Sequence, residues 1–182
     1  LERIGVPGIL LKGASFIAAD LPAGNGRPSN DLDILVPRDA IDKVTAGLRE
    51  GGWEEGEMET GEQEHFLRWM HQIPTMYHAI RNTAVDVHHA ITPIAGLNNV
   101  DPAALFEASV QLPDRHLRVL SPEDMVILAA VHWARSSGLS GSVRDFLDID
   151  DLTRDFAARD PAFHDRLLAR ADRLGVGATT RQ

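Results

Sequence analysis

The segment Asp31–Val36, of sequence DLDILV and closed by Pro37, constrains this chain more than any other. Side chains alternate faces along a strand, so Asp31 and Asp33 project from one side while Leu32 and Ile34 face the core. Aspartate makes up 17 of the 182 residues, so about 1.6 Asp-x-Asp pairs arise by chance, and two occur. The second pair, Asp148/Asp150, falls in a helical stretch, where positions i and i+2 diverge. Only the first pair is therefore read as a constellation.

A second strand carries another carboxylate. In Ala84-Val-Asp-Val-His-His-Ala-Ile, Val85 and Val87 flank Asp86, so Asp86 and His88 point together away from the apolar face. If this strand lies beside Asp31–Val36, three carboxylates converge. At about 5 Å and an effective dielectric near 20, each ionised pair repels by roughly 3 kcal/mol. Such a cluster holds either protons or divalent cations, and all-oxygen donors favour Mg²⁺ or Mn²⁺. His71, His78, His88 and His89 lack the spacing of a zinc site.

The rest of the pattern is that of an α/β (α+β) protein. Gly8–Lys12 reads as a buried strand ending in a turn at Gly13, followed by helical turns over Ala14–Asp20. Leu21–Asn30 reads as a loop, and Arg38–Glu50 as a helix stopped by Gly51-Gly52. Residues 54–64, with six glutamates and two glycines, read as a solvated loop or edge hairpin. Gln72–Ile80 and Thr83–Ile91 look like two strands joined by a turn at Arg81-Asn82. Ser121-Pro-Glu-Asp is a helix start of the capping-box type, leading into Met125–Ser136. Further helices cover Val143–Ala158 and Pro161–Leu174, and His132 is expected in the core or at a cap. The expected division is an α/β core over residues 1–97 and a mostly helical subdomain over 98–182. Because the chain opens at Leu1 without methionine, a preceding helical segment is expected.

The net charge of −9 argues against extended nucleic-acid binding. No apolar run approaches the roughly 18 residues of a membrane span, and no signal peptide is visible. With no cysteine in the sequence, disulfides and thiolate metal sites are excluded, and a cytoplasmic protein is expected. The cations are 16 arginines and only 2 lysines, Lys12 and Lys43, which singles out Lys12 beside the Gly13 turn.

These residues resemble the nucleotidyltransferase superfamily related to DNA polymerase beta, and most closely its bacterial branch of uncharacterised nucleotidyltransferases. The resemblance runs over Leu10-Leu-Lys-Gly-Ala-Ser, Arg27 ahead of Asp31-Leu-Asp-Ile-Leu-Val-Pro, and Val85-Asp-Val-His. It extends more weakly into Ser121-Pro-Glu-Asp and Phe146-Leu-Asp-Ile-Asp-Asp-Leu. It implies a small mixed sheet flanked by helices, with a C-terminal helical subdomain closing a cleft. It further implies transfer of a nucleoside monophosphate from an NTP to a hydroxyl-type acceptor, a small molecule or a protein, with two Mg²⁺ or Mn²⁺ ions. Asp31, Asp33 and Asp86 become the metal ligands and catalytic residues. Lys12, Gly13, Ala14, Ser15 and Arg27 become the nucleotide-binding set. His88, on the same side of its strand as Asp86, is expected to orient that carboxylate or to touch substrate. Ala14 stands where serine is frequent, and Ser15 is the candidate substitute. The rival expectation is a non-catalytic nucleotide- or partner-binding module that keeps this fold.

Overall fold

The computed structural model describes residues 1–27, 31–56, 71–92, 100–113, 117–135 and 143–177. Seven strands form one mixed sheet: β1 (Ile9–Leu10), β2 (Asp31–Leu35), β3 (Glu54–Glu55), β4 (Met76–His78), β5 (Thr83–His88), β6 (Val110–Gln111) and β7 (Arg118–Val119). Their order is β3-β4-β5-β2-β1-β7-β6, with β2/β5 and β1/β7 parallel and the other pairs antiparallel. The described helices are α1 (Lys12–Ala18), α2 (Ile41–Glu50), α3 (Pro102–Ala108), α4 (Pro122–Arg135), α5 (Val143–Arg159) and α6 (Phe163–Arg173). This is the mixed α/β architecture expected from the sequence.

Period 2 sorts the central strands into two faces. Ile34 on β2 and Val36 just after it join Val85 and Val87 on β5 in a cluster covered by Ile41 and Val44 of α2. The opposite face carries Asp33 and Leu35, and Leu35 enters the larger core with Leu11, Phe16, Ile127, Leu152 and Phe163. That core joins the strand–helix unit at the start of the chain to α4, α5 and α6. Strands β6 and β7 lie in the same sheet as β1 and β2.

Local chemistry explains most element ends. Apolar residues at helical spacing bury Ile41 and Val44, and Gly52, at φ +86°, turns the chain away after α2. The β4–β5 hairpin turns through Asn82 at φ +48°, a conformation asparagine tolerates. Ser121 caps α4 by accepting from Asp124 N–H at 3.2 Å. The other half of that capping box is absent, because Asp124 is fully buried against Arg170, at 2.7 and 2.8 Å.

Several expectations change. Leu32, expected in the core, is 37% exposed. The cluster packed by α2 closes over Ile34 and Val36 and leaves Leu32 at the margin of an apolar groove with Leu10 and Val85. The first strand is only Ile9–Leu10, since α1 already starts at Lys12, whose φ of +46° makes the turn one residue before Gly13. The strand expected over Gln72–Ile80 shrinks to Met76–His78, and Ile80 is 92% exposed in the hairpin turn. His132 is exposed and faces Asp145 at 3.4 Å rather than the core. Of the acidic run 54–64, Glu54 and Glu55 form edge strand β3, and residues 57–64 lie outside the described residues.

Candidate active site

The β2–β5 register makes Asp33 and Asp86 direct Cα partners, with Asp31 two residues earlier on β2 opposite Ala84. Parallel neighbours run about 4.8 Å apart, so the two carboxylates share one patch of one face. Asp31 sits at the exposed start of β2, Asp33 is buried and Asp86 is half-buried. The patch thus runs from solvent inward over three positions.

Asp33 lies in a ring of donors. Lys12 Nζ donates to its Oδ1 at 2.7 Å, and His88 Nε2 lies 2.8 Å from the same oxygen. An ionised carboxylate only accepts, so Nε2 carries the hydrogen of that bond. Burial works against the charge of Asp33, but the His88 hydrogen bond and Lys12 outweigh it and hold the carboxyl below its ordinary value. The His88 ring is buried and stacks on His71 with centroids 5.5 Å apart, which fixes its plane. His88 therefore supports Asp33, the neighbour on β2, rather than Asp86 on its own strand. Asp86 has a different support, since Thr75 Oγ1 donates to its Oδ1 at 2.5 Å. Among the described residues, no group of three or more His, Asp or Glu side chains is arranged to hold a metal ion.

Beside this patch the chain turns from β1 into α1 through Leu11, Lys12 and Gly13. Leu11 N–H still bonds Asp33 O at 2.9 Å, which ties the turn to β2 and brings Lys12 to the carboxylate. Gly13 is buried, and a Cβ there would lie 2.4 Å from Arg27 Nε, so the missing side chain lets the guanidinium cross the turn. Arg27 Cζ stands 5.5 Å from the Phe16 ring centroid, and Nη1 donates to both oxygens of Asp148 on α5, at 2.5 and 2.7 Å. Burial raises the Asp148 carboxyl above its ordinary value, with Arg27 only partly offsetting that and Asp145 adding to it. Ala14 follows on the first turn of α1. Ser15 is buried and its hydroxyl donates to Lys12 O at 2.7 Å, so it braces the turn from within.

The structure thus gathers Lys12, Gly13, Arg27, Asp33, Asp86 and His88 on one face of the central strands, beside the β1–α1 turn. Sequence reasoning passed over Thr75, Phe16 and Asp148. Thr75 carries no signal in sequence. Asp148 lay in the Asp-x-Asp pair discounted as helical, and the helix is real: Asp150 turns away to Arg154 at 2.8 Å, while Asp148 alone turns inward.

Carboxylates on neighbouring parallel strands thus lie beside a glycine turn flanked by a lysine and an arginine. The sequence matches the uncharacterised nucleotidyltransferase family over residues 1–182, and the chain belongs to that family, whose chemistry is nucleotidyl transfer. No curated protein matches it. Among solved structures it is similar to the antibiotic-resistance factor ANT(2'')-Ia in solution, at 14% identity over 94% of this chain and 89% of that one, with a TM-score of 0.55. A crystal structure of ANT(2'')-Ia in complex with adenylyl-2''-tobramycin gives 11% identity over 93% and 91%, with a TM-score of 0.56. The lincomycin-bound lincosamide antibiotic adenylyltransferase LnuA gives 17% identity over 84% and 89%, with a TM-score of 0.53. At these identities the likeness establishes a shared fold. No described helix is long and apolar enough to cross a membrane.

Proposed function

We propose that the protein transfers a nucleoside monophosphate from an NTP to a hydroxyl of a small-molecule acceptor, releasing pyrophosphate. The observation that carries this reading is the β2–β5 register, which sets Asp33 beside Asp86 on one face next to the Gly13 turn. The similar proteins named above include an adenylyltransferase bound to lincomycin and an enzyme in complex with adenylyl-tobramycin, which supports a small acceptor. The net charge of −9 also speaks against a nucleic-acid acceptor.

The described carboxylates are not gathered tightly around an ion, but their chemistry, oxygen donors without sulfur, suits Mg²⁺ or Mn²⁺. The patch offers carboxylate oxygens from two adjacent strands, hard donors of the kind these ions take. Asp31, Asp33 and Asp86 would hold two such ions, which when bound supply Lewis-acid stabilisation of the attacking and leaving oxygens. His88 keeps the Asp33 oxygen aimed, and Thr75 does the same for Asp86. Gly13 and Ala14 present a turn with little side chain to the triphosphate, while Lys12 and Arg27 supply positive charge at its two sides. In the transfer step the acceptor oxygen bonds to the α-phosphorus as the bond to the β-phosphate oxygen breaks. Asp86, half-buried, takes the hydroxyl proton, and pyrophosphate leaves with the electron pair.

The test is thermal. At a hundredfold excess over Kd, a native-state ligand stabilises by about 2.7 kcal/mol. Mg²⁺ with NTP should raise Tm on that scale, and EDTA should abolish the rise. An equal rise with NTP in EDTA would refute metal-mediated binding and leave Lys12 and Arg27 as the whole site.

A further inference from the structure

The buried stripe of α5 is Asp148, Leu152 and Phe156, spaced four apart. Two of these are core residues, and the first is a carboxylate with 7% exposure. Burying a carboxylate is costly, and an apolar residue in that position packs at lower cost unless the charge has work to do. The acid meets one partner in the described structure, the Arg27 guanidinium, 121 residues away in sequence.

The form of that contact matters. Asp148 takes both of its bonds from the single nitrogen Nη1, at 2.5 and 2.7 Å. A fork-to-fork pair consumes two nitrogens of the arginine, whereas this one leaves Nε and Nη2 with no bond to any described residue. Nε lies over the α-carbon of Gly13, 2.4 Å from where a Cβ would stand. Phe16 supports the guanidinium face at 5.5 Å. An otherwise mobile arginine is thereby fixed on the glycine turn by a carboxylate on one side and a ring on another. Fixing it removes the rotamer freedom that a phosphate would otherwise have to take out on binding.

We propose that Asp148 is a positioning residue for nucleotide binding, holding Arg27 across Gly13 so that Nε and Nη2 donate to a phosphate oxygen of the NTP. This rests on the nucleotidyl-transfer reading above. It gives the Phe146–Leu152 stretch of α5 a part in reading the nucleotide, from the far end of the chain.

The experiment measures Kd for Mg²⁺·ATP and Mg²⁺·GTP by calorimetry on the full chain, with Tm recorded for every variant. Asp148→Leu leaves the Arg27 guanidinium without its carboxylate and should lower Tm somewhat, while nucleotide binding weakens about tenfold, the scale of one charge-assisted hydrogen bond. Asp148→Asn keeps an acceptor oxygen and should lose less. Arg27→Ala should lose at least as much as Asp148→Leu, and the double variant should be no weaker than Arg27→Ala, because one interaction is being removed twice. A merely structural aspartate gives binding losses that add to those of Arg27→Ala, which overturns the proposal. Unchanged binding in both Asp148 variants overturns it too, and so does tighter binding, which makes Asp148 a competitor of the phosphate. If Asp148→Leu fails to fold, Asp148→Asn with the Arg27→Ala cycle decides. A wild-type protein that binds neither nucleotide overturns the parent reading itself, a result distinct from the others.

Discussion

Two cation–carboxylate pairs flank the Gly13 turn, and they are built in opposite ways. Lys12 and Asp33 lie 21 residues apart and meet because β1 and β2 are sheet neighbours. Arg27 and Asp148 lie 121 residues apart and meet only because α5 packs against the unit that holds Phe16. Asp33 is buried like Asp148 yet has its carboxyl held low, since His88 and Lys12 both reach one oxygen. Asp148 has Arg27, through one nitrogen, and Arg144 against its burial and the charge of Asp145, and its carboxyl is pushed up. Burial alone does not set the direction of a shift; the number and placement of donors do. Under the roles proposed above, the first pair serves the carboxylate patch and the second the nucleotide's phosphates, so variants on the two sides should fail differently.

The largest failure is expected at Asp33. Asp33→Asn removes a carboxylate donor and strands Lys12 and His88, so transfer should fall below detection and Mg²⁺·NTP should no longer raise Tm. Pyrophosphate release measured beside thermal shift checks both, and Asp31→Asn should behave alike. Near-normal turnover in either variant would move the metal ligands elsewhere.

Asp86 comes next. Asp86→Asn should bind Mg²⁺·NTP almost normally while transfer drops about 10²–10⁴-fold, the scale of general-base loss. Titrating NTP binding beside turnover separates the two effects. A variant with intact turnover excludes Asp86 from the site.

A smaller effect is expected at Thr75. Thr75→Val keeps the side-chain shape but removes the donor to Asp86 Oδ1, and a loss of about tenfold in transfer is anticipated, at the lower end of outer-shell effects. The loss should vanish in an Asp86→Asn background; if it persists there, Thr75 acts through something other than Asp86.

The smallest effect lies in pH dependence. The folded-state carboxyl of Asp33 sits below the ordinary aspartate value of about 3.9, so the stability it supplies is present above that value and lost as pH falls through the lowered one. The folded-state carboxyl of Asp148 sits above the same value, so its contribution is fully present below about 3.9 and is lost as pH rises through the raised one. Urea unfolding between pH 3 and 7 should therefore show the wild-type advantage over Asp33→Asn growing with pH. The difference from Asp148→Asn should run the other way. Slopes of the same sign in the two series would show that the pairs are electrostatically alike.

The sequence alone determined the carboxylate patch in outline. Alternation on a strand is a strictly local property with a period of two residues, so Asp31 with Asp33, and Asp86 with His88, could be assigned to faces before any partner was known. The helices that become α2, α4, α5 and α6 were legible for the same reason, because their apolar spacing and caps are written within a few turns. Tertiary structure decided the rest. That His88 serves Asp33 and not Asp86 depends on the β2–β5 register, and that Leu32 lies open depends on where α2 stops covering the sheet. Asp148 and Asp150 read identically in a helix, and only the packing of α5 against Phe16 and the Gly13 turn sends one inward to Arg27 and the other out to Arg154. A contact between residues 121 positions apart has no period and no neighbourhood in sequence; it exists only once a shared core has paid the entropy of bringing both ends together.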